Sequence, residues 1–84
     1  LFAGLPDHVQ AASRAAYRQF VLDPATPSLR YHELAKSHRG QHRDGSRSVS
    51  VTLRYRAIYY KEGDVNIWYW IGTHSDYDRF TGRK

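Results

Sequence analysis

Cysteine is absent from the 84 residues, and with it go disulfides, thiolate zinc sites and cysteine nucleophiles. Methionine is absent as well, even at position 1, so Leu1 is not read as a translated start and further native residues are expected ahead of it. No stretch approaches the roughly 20 apolar residues that span a bilayer, and no charged-then-apolar leader opens the chain. A cytoplasmic protein with no membrane contact is therefore expected. Negative charge is scarce too, with 8 Asp and Glu against 13 Lys and Arg, for a formal net charge of +5.

What is present suits one small folded unit. A chain this short encloses a single hydrophobic core, so residues 1–84 read as one domain. Hydrophobic residues make up 40% and charged residues 25%, which separates the chain from disordered tails. The core is expected to be built from few, bulky pieces, since seven Tyr, three Phe and two Trp each bury a large area.

The positive excess is not spread evenly. Residues 1–29 balance Arg14 and Arg18 against Asp7 and Asp23, and residues 57–84 balance four cations against four carboxylates. The whole excess falls in 30–56, where Arg30, Lys36, Arg39, Arg43, Arg47, Arg54 and Arg56 face only Glu33 and Asp44, with His32, His38 and His42 among them. Such a patch attracts a phosphate backbone, because each neutralised phosphate releases condensed counterions. A solvated basic loop, or one that meets an acidic protein, is the plainer reading of the same charges.

Val9, Ala12, Ala16 and Phe20 recur at helical spacing behind Pro6 and Asp7, so the pattern predicts an amphipathic helix over 6–22 with Arg14 and Arg18 on its wet side. Pro24 disfavours helical geometry at Asp23 and ends it. From Ser28 to Arg47 periodicity fades into a short extended piece or turn and then a mobile basic loop. Period two then takes over, with Val49, Val51 and Leu53 alternating with Ser48, Ser50, Thr52 and Arg54. Thirteen residues from 48 to 60 exceed an ordinary strand, which places a tight turn near Leu53 and Arg54. Glu62-Gly63-Asp64 marks the next turn. Three antiparallel strands near 48–53, 55–61 and 65–71 follow, in an α+β fold with the N-terminal helix packed on a twisted sheet of three to four strands. Residues 72–78 read as a polar segment leaving the last strand.

Cleaving RNA without a metal needs a base for the 2′-hydroxyl proton, an acid for the leaving 5′-oxygen, and cations to hold charge developing on phosphorus. Histidine serves either proton role, and arginine grips phosphate oxygens through its planar fork. Those group types converge in the basic loop, Arg56 and the segment Thr73-His74-Ser75-Asp76-Tyr77.

The order of helix, Pro-Ser-Leu-Arg (27–30), Ser-Val-Ser-Val (48–51), Tyr55-Arg56-Ala57 and Trp70-Ile71-Gly72-Thr73-His74-Ser75-Asp76-Tyr77-Asp78 resembles the RelE/ParE superfamily of toxins from bacterial toxin-antitoxin pairs. The resemblance covers nearly the whole chain. It implies a helical element on a twisted antiparallel sheet, a cognate antitoxin as protein partner, and, in RelE-like members, a metal-independent endoribonuclease that cleaves mRNA on the ribosome and so inhibits translation. No cofactor or metal belongs to that chemistry. ParE-like members inhibit DNA gyrase instead, and an inactive relative would only bind its antitoxin, so these remain the alternatives. Carried across by position, the resemblance makes Arg56 the ligand of the scissile phosphate, His74 the catalytic acid, and Tyr77 an aromatic that stacks on a base or assists proton transfer. RNA contacts are expected from Lys36, His38, Arg39, His42, Arg43, Arg47 and Arg54. Ser48 and Ser50 depart from lysine-rich members of the family, which leaves the general base unassigned.

Plainer readings stand beside these. His74 as a turn residue would bond local backbone, and Arg56 as a surface cation would pair with Glu62 or Asp64. His38 and His42, four apart, have the spacing of helical zinc ligands, but Gly40 between them disfavours a helix. Trp68 and Trp70, read as sharing one face of a strand, suit either a base-stacking platform or core and antitoxin contact.

Overall fold

The computed structural model describes residues 4–34 and 40–82. Helix α1 runs Asp7–Leu22, with Pro6 outside it as the cap at φ −56° and ψ 149°. The Pro6 carbonyl accepts from the Val9 and Gln10 N–H groups at 3.0 Å each, two of the donors that a helix start leaves orphaned. Asp23 is extended (φ −160°, ψ 100°), the geometry a residue before proline favours. Its carbonyl accepts from the Thr26 hydroxyl at 2.8 Å and its Oδ1 from the Ala25 N–H at 3.0 Å, which turns the chain. A 3-10 turn, Pro27–Leu29, then delivers Arg30 in the left-handed region (φ 48°, ψ 49°).

Strands β1 (His32–Glu33), β2 (Arg47–Ser50), β3 (Tyr55–Glu62) and β4 (Val65–Thr73) form one antiparallel sheet in that order, and helix α2 (His74–Thr81) follows directly. The fold is thus α+β with two helices and a four-stranded sheet. The expected break near Leu53 is where the chain turns, with the Val51 N–H donating to the Tyr55 carbonyl at 2.9 Å. Leu53 consequently leaves the alternation and is 87% exposed. Gly63 supplies the positive φ (63°) of the β3–β4 turn.

Helix α2 stands where the sequence pattern indicated only a polar segment. Its start was written in the sequence as Thr73-x-x-Asp76: the Thr73 hydroxyl accepts from the Asp76 N–H at 3.2 Å, and Asp76 sits in the first turn, where a carboxylate complements the helix dipole. Few apolar residues over eight positions hid the rest of the helix. Its consequence is large, because it covers the sheet face that alternation assigned to solvent. Ser48, expected outside, is fully buried.

Alternation along the strands gives the sheet two different faces. Val49, Ala57 and Tyr59 pack with Phe20 of α1 and with Leu29, joined by Trp68 and Ile71. Ile58 packs on the other side with Leu34 and Tyr77, joined by Tyr69, Trp70 and Phe80. The two tryptophans therefore lie on opposite faces, not on one. A β-bulge is the cause: Ile58 pairs with Trp70 but Tyr59 with Trp68, so Tyr69 has no opposite residue and the alternation slips by one. Trp68 meets the Phe20 ring edge-on at 5.1 Å, and Trp70 stacks on Phe80 at 5.1 Å. Gly72 accommodates that second stack, since a Cβ there would meet the Trp70 ring at 2.7 Å.

Candidate functional site

Arg56 lies on β3 opposite Ser50 of β2 and Gly72 of β4, and faces α2. Its Nη1 donates to the Ser50 hydroxyl at 3.1 Å and its Nη2 to the Ser48 hydroxyl at 2.9 Å. A longer contact from Nη2 reaches the carbonyl of left-handed Arg30 at 3.4 Å. The guanidinium carbon lies 4.8 Å from the centre of the Tyr77 ring, a cation–π distance. Nε is buried and has no acceptor among the described residues. No carboxylate among the described residues forms an ion pair with Arg56, and the surface pairing with Glu62 or Asp64 does not occur.

Tyr77, 1% exposed, is committed on both sides: its ring to Arg56, and its hydroxyl to Ser48, to which it donates at 3.1 Å. A base has no access to that ring in this arrangement. Tyr77 supports the arginine from beneath.

His74, the first residue of α2, is exposed and tied to the sheet through its backbone, whose N–H donates to the Arg54 carbonyl at 2.7 Å. Its ring centre is 6.0 Å from that of Tyr77, and its Nε2 is 3.8 Å from an Asp78 carboxylate oxygen one turn along the helix. The local-backbone role is thus filled by the main chain, leaving the imidazole at the mouth of the site. His74, Arg56, Tyr77 and Arg54 come together, and Ser48, Ser50 and Arg30 join them. Alternation on β2 had named both serines, but only helix α2 turned them from surface residues into part of a site.

The basic residues of the loop are distributed differently. Lys36, His38 and Arg39 fall outside the described residues. His42 lies by the far end of α2, where a Cβ on Gly40 would touch both its ring and the Thr81 carbonyl. Arg43 covers the Tyr60 ring at 4.2 Å, and its N–H donates to the Tyr69 hydroxyl at 3.0 Å. That end is separated from His74 by the length of α2, about 12 Å for eight residues. Arg47 points to the α1 side, beside Glu33 (3.9 Å) and in a depression of about 320 Å³ shared with Tyr31, Tyr59 and Lys61. Burial, reinforced by the neighbouring Tyr31, pushes the Tyr59 phenol there from 10.0 up to about 12. Among the described residues no three His, Asp or Glu side chains gather to hold a metal ion. No helix among them is long and apolar enough to cross a membrane.

Compared with known proteins, the chain matches no family model, no curated protein and no solved structure.

Proposed function

We propose that this protein is a RelE-like toxin of a toxin-antitoxin pair, a metal-independent endoribonuclease that cleaves mRNA on the ribosome and is held in check by a cognate antitoxin in the cytoplasm. The observation that carries the reading is Arg56: a cation fixed by neutral acceptors, with no carboxylate among the described residues paired to it and one buried donor unmet among them, and with an exposed histidine nearby on α2. A half-buried guanidinium in that state is a ready partner for a phosphate oxygen, since hydrogen bonds to ionised groups are roughly twice as strong as neutral ones. The motif order that resembles the RelE/ParE superfamily supports the same reading, as does the α+β architecture.

The chemistry assigned to the site is an in-line transesterification. The 2′-oxygen of the substrate loses its proton to a general base and bonds to phosphorus, while the bond from phosphorus to the 5′-oxygen breaks. Arg56 binds the non-bridging oxygens as charge builds on them, and His74 gives its proton to the departing 5′-oxygen. Asp78, one helical turn away, places a carboxylate oxygen 3.8 Å from the His74 Nε2. The products are a 2′,3′-cyclic phosphate and a 5′-hydroxyl. Arg54 and Arg30 adjoin the site through their backbone carbonyls, which accept from the His74 N–H and Arg56 Nη2, and their side chains are assigned to flanking phosphates.

Translation in vitro with and without the purified protein, followed by primer extension on the mRNA, tests the reading. Discrete cleavage within ribosome-bound message is expected, unaffected by chelator. Arg56→Ala is expected to slow it by about 10²- to 10³-fold, the range of a lost oxyanion-stabilising donor. Intact mRNA together with inhibition of gyrase would move the protein to the ParE-like class.

A further inference from the structure

The manner in which Arg56 is held goes beyond its assignment as a phosphate ligand. Of the guanidinium's donors, one on Nη1 is directed to Ser50 and one on Nη2 to Ser48, so the plane is fixed at two points on one strand. Ser48 is fully buried, and it also accepts from the Tyr77 hydroxyl. That second bond occupies the other lone pair of Ser48 and orients the oxygen toward Arg56. The Tyr77 ring lies against the guanidinium at 4.8 Å, which limits its tilt. A carboxylate in place of either serine would hold the fork as well but would neutralise it. Hydroxyls orient the cation and leave its charge available.

We propose that Ser48 and Ser50, backed by the Tyr77 hydroxyl, are positioning residues that orient Arg56 while preserving its charge for a single phosphodiester group. The inference rests on the phosphate-binding role proposed for Arg56. It also assigns a purpose to the two serines: they present a single oriented charge. Lysine at position 56 would not serve, since a point charge on a flexible stem cannot be fixed through a planar fork.

Charge and orientation separate experimentally at Ser50, which is half-buried and more tolerant of change than Ser48. The probe is an RNA oligonucleotide carrying a 2′-deoxy substitution at the scissile position, which binds but lacks the attacking hydroxyl. Two quantities are measured for wild type, Ser50→Thr, Ser50→Ala and Ser50→Asp: the probe's dissociation constant, and the order of the Arg56 Nε–H by NMR relaxation without ligand. Ser50→Thr is expected to stay close to wild type in both. Ser50→Ala is expected to loosen Arg56 and weaken binding by about 10-fold, the scale of one hydrogen bond to a charged group. Ser50→Asp is expected to keep Arg56 ordered yet weaken binding more than Ser50→Ala does.

Equal order of Arg56 in wild type and Ser50→Ala would overturn the positioning role. So would tighter or unchanged binding by Ser50→Asp, or a wild type that does not bind the probe. Binding with the expected pattern but no cleavage of ribosome-bound mRNA would remove the ribonuclease reading and leave the positioning role standing.

Discussion

The two faces of the sheet are built from the same strands and do opposite things. Toward α1 the strands present Val49, Ala57, Tyr59 and Trp68 to Phe20, and burial drives the Tyr59 phenol toward its neutral form. Toward α2 they present Ser48, Ser50 and Arg56 beside Ile58 and Trp70, and polar side chains bond to one another. Period-two alternation produces most of the difference, because neighbouring residues on one strand answer to different helices, and the β-bulge at Tyr69 sends Trp68 and Trp70 to different sides. On the proposed reading, stability on the α1 side and chemistry on the α2 side are separated across the thickness of a single sheet. A substitution on one face should disturb mainly one of them.

The largest expected effect is on the α1 face. Phe20→Ala removes the ring that meets both Tyr59 and Trp68 edge-on at 5.1 Å, and it is expected to lower unfolding stability by about 3–5 kcal/mol in a denaturant titration. For a domain whose whole stability is of order 5–15 kcal/mol, that is a major loss. If the faces are separable, the folded fraction retains oligonucleotide affinity.

Next is pH. Tyr59 has its pKa raised from 10.0 to about 12, so the folded state favours the protonated phenol more than the unfolded chain does. Its contribution is fully present below pH 10 and is lost as the pH rises toward 12. Tyr59→Phe is expected to flatten the fall in stability over that window, measured by thermal unfolding at stepped pH. A fall of the same depth in the variant would place the pH sensitivity elsewhere.

Where the sequence was legible, a local rule was enough. Periodicity and Pro24 delimited α1, Gly63 marked the hairpin, and the length of the 48–60 run required its break. Arg56, His74 and Tyr77 were recognisable from motif order and do come together. What could not be read depends on partners distant in sequence. Helix α2 is short and mostly polar, and only its capping threonine announced it. The burial of Ser48 follows from that helix, 29 positions away through Tyr77. The bulge that separates Trp68 from Trp70 is a property of two paired strands, invisible in either one. Uniform clustering of charge in 30–56 likewise hid the fact that Arg47 and Arg56 face opposite ways.

That last point yields the smallest expected effects. Arg47 sits half-buried on the α1 side at 3.9 Å from the exposed Glu33, a loose pair, so Arg47→Ala is expected to change stability by less than about 1 kcal/mol and to leave the salt dependence of RNA binding as it was. Arg54→Ala, at a residue whose backbone carbonyl holds the His74 N–H, is expected to reduce the slope of log affinity against log salt by about 0.7, the share of one phosphate on a single strand. Filter binding across a salt series distinguishes the two. Equal slope changes would mean that RNA wraps both faces.

The most direct test of the division between the faces is the single-turnover rate at which ribosome-bound mRNA is cleaved by wild type and by His74→Ala, with circular dichroism recorded on both. His74 is exposed and contributes no core packing, so its removal is expected to leave the spectrum unchanged while slowing cleavage by about 10²- to 10⁴-fold, the range for a general acid. Wild-type product is expected to end in a 2′,3′-cyclic phosphate. Cleavage by His74→Ala at the wild-type rate would contradict the assignment of the α2 face as the seat of the chemistry.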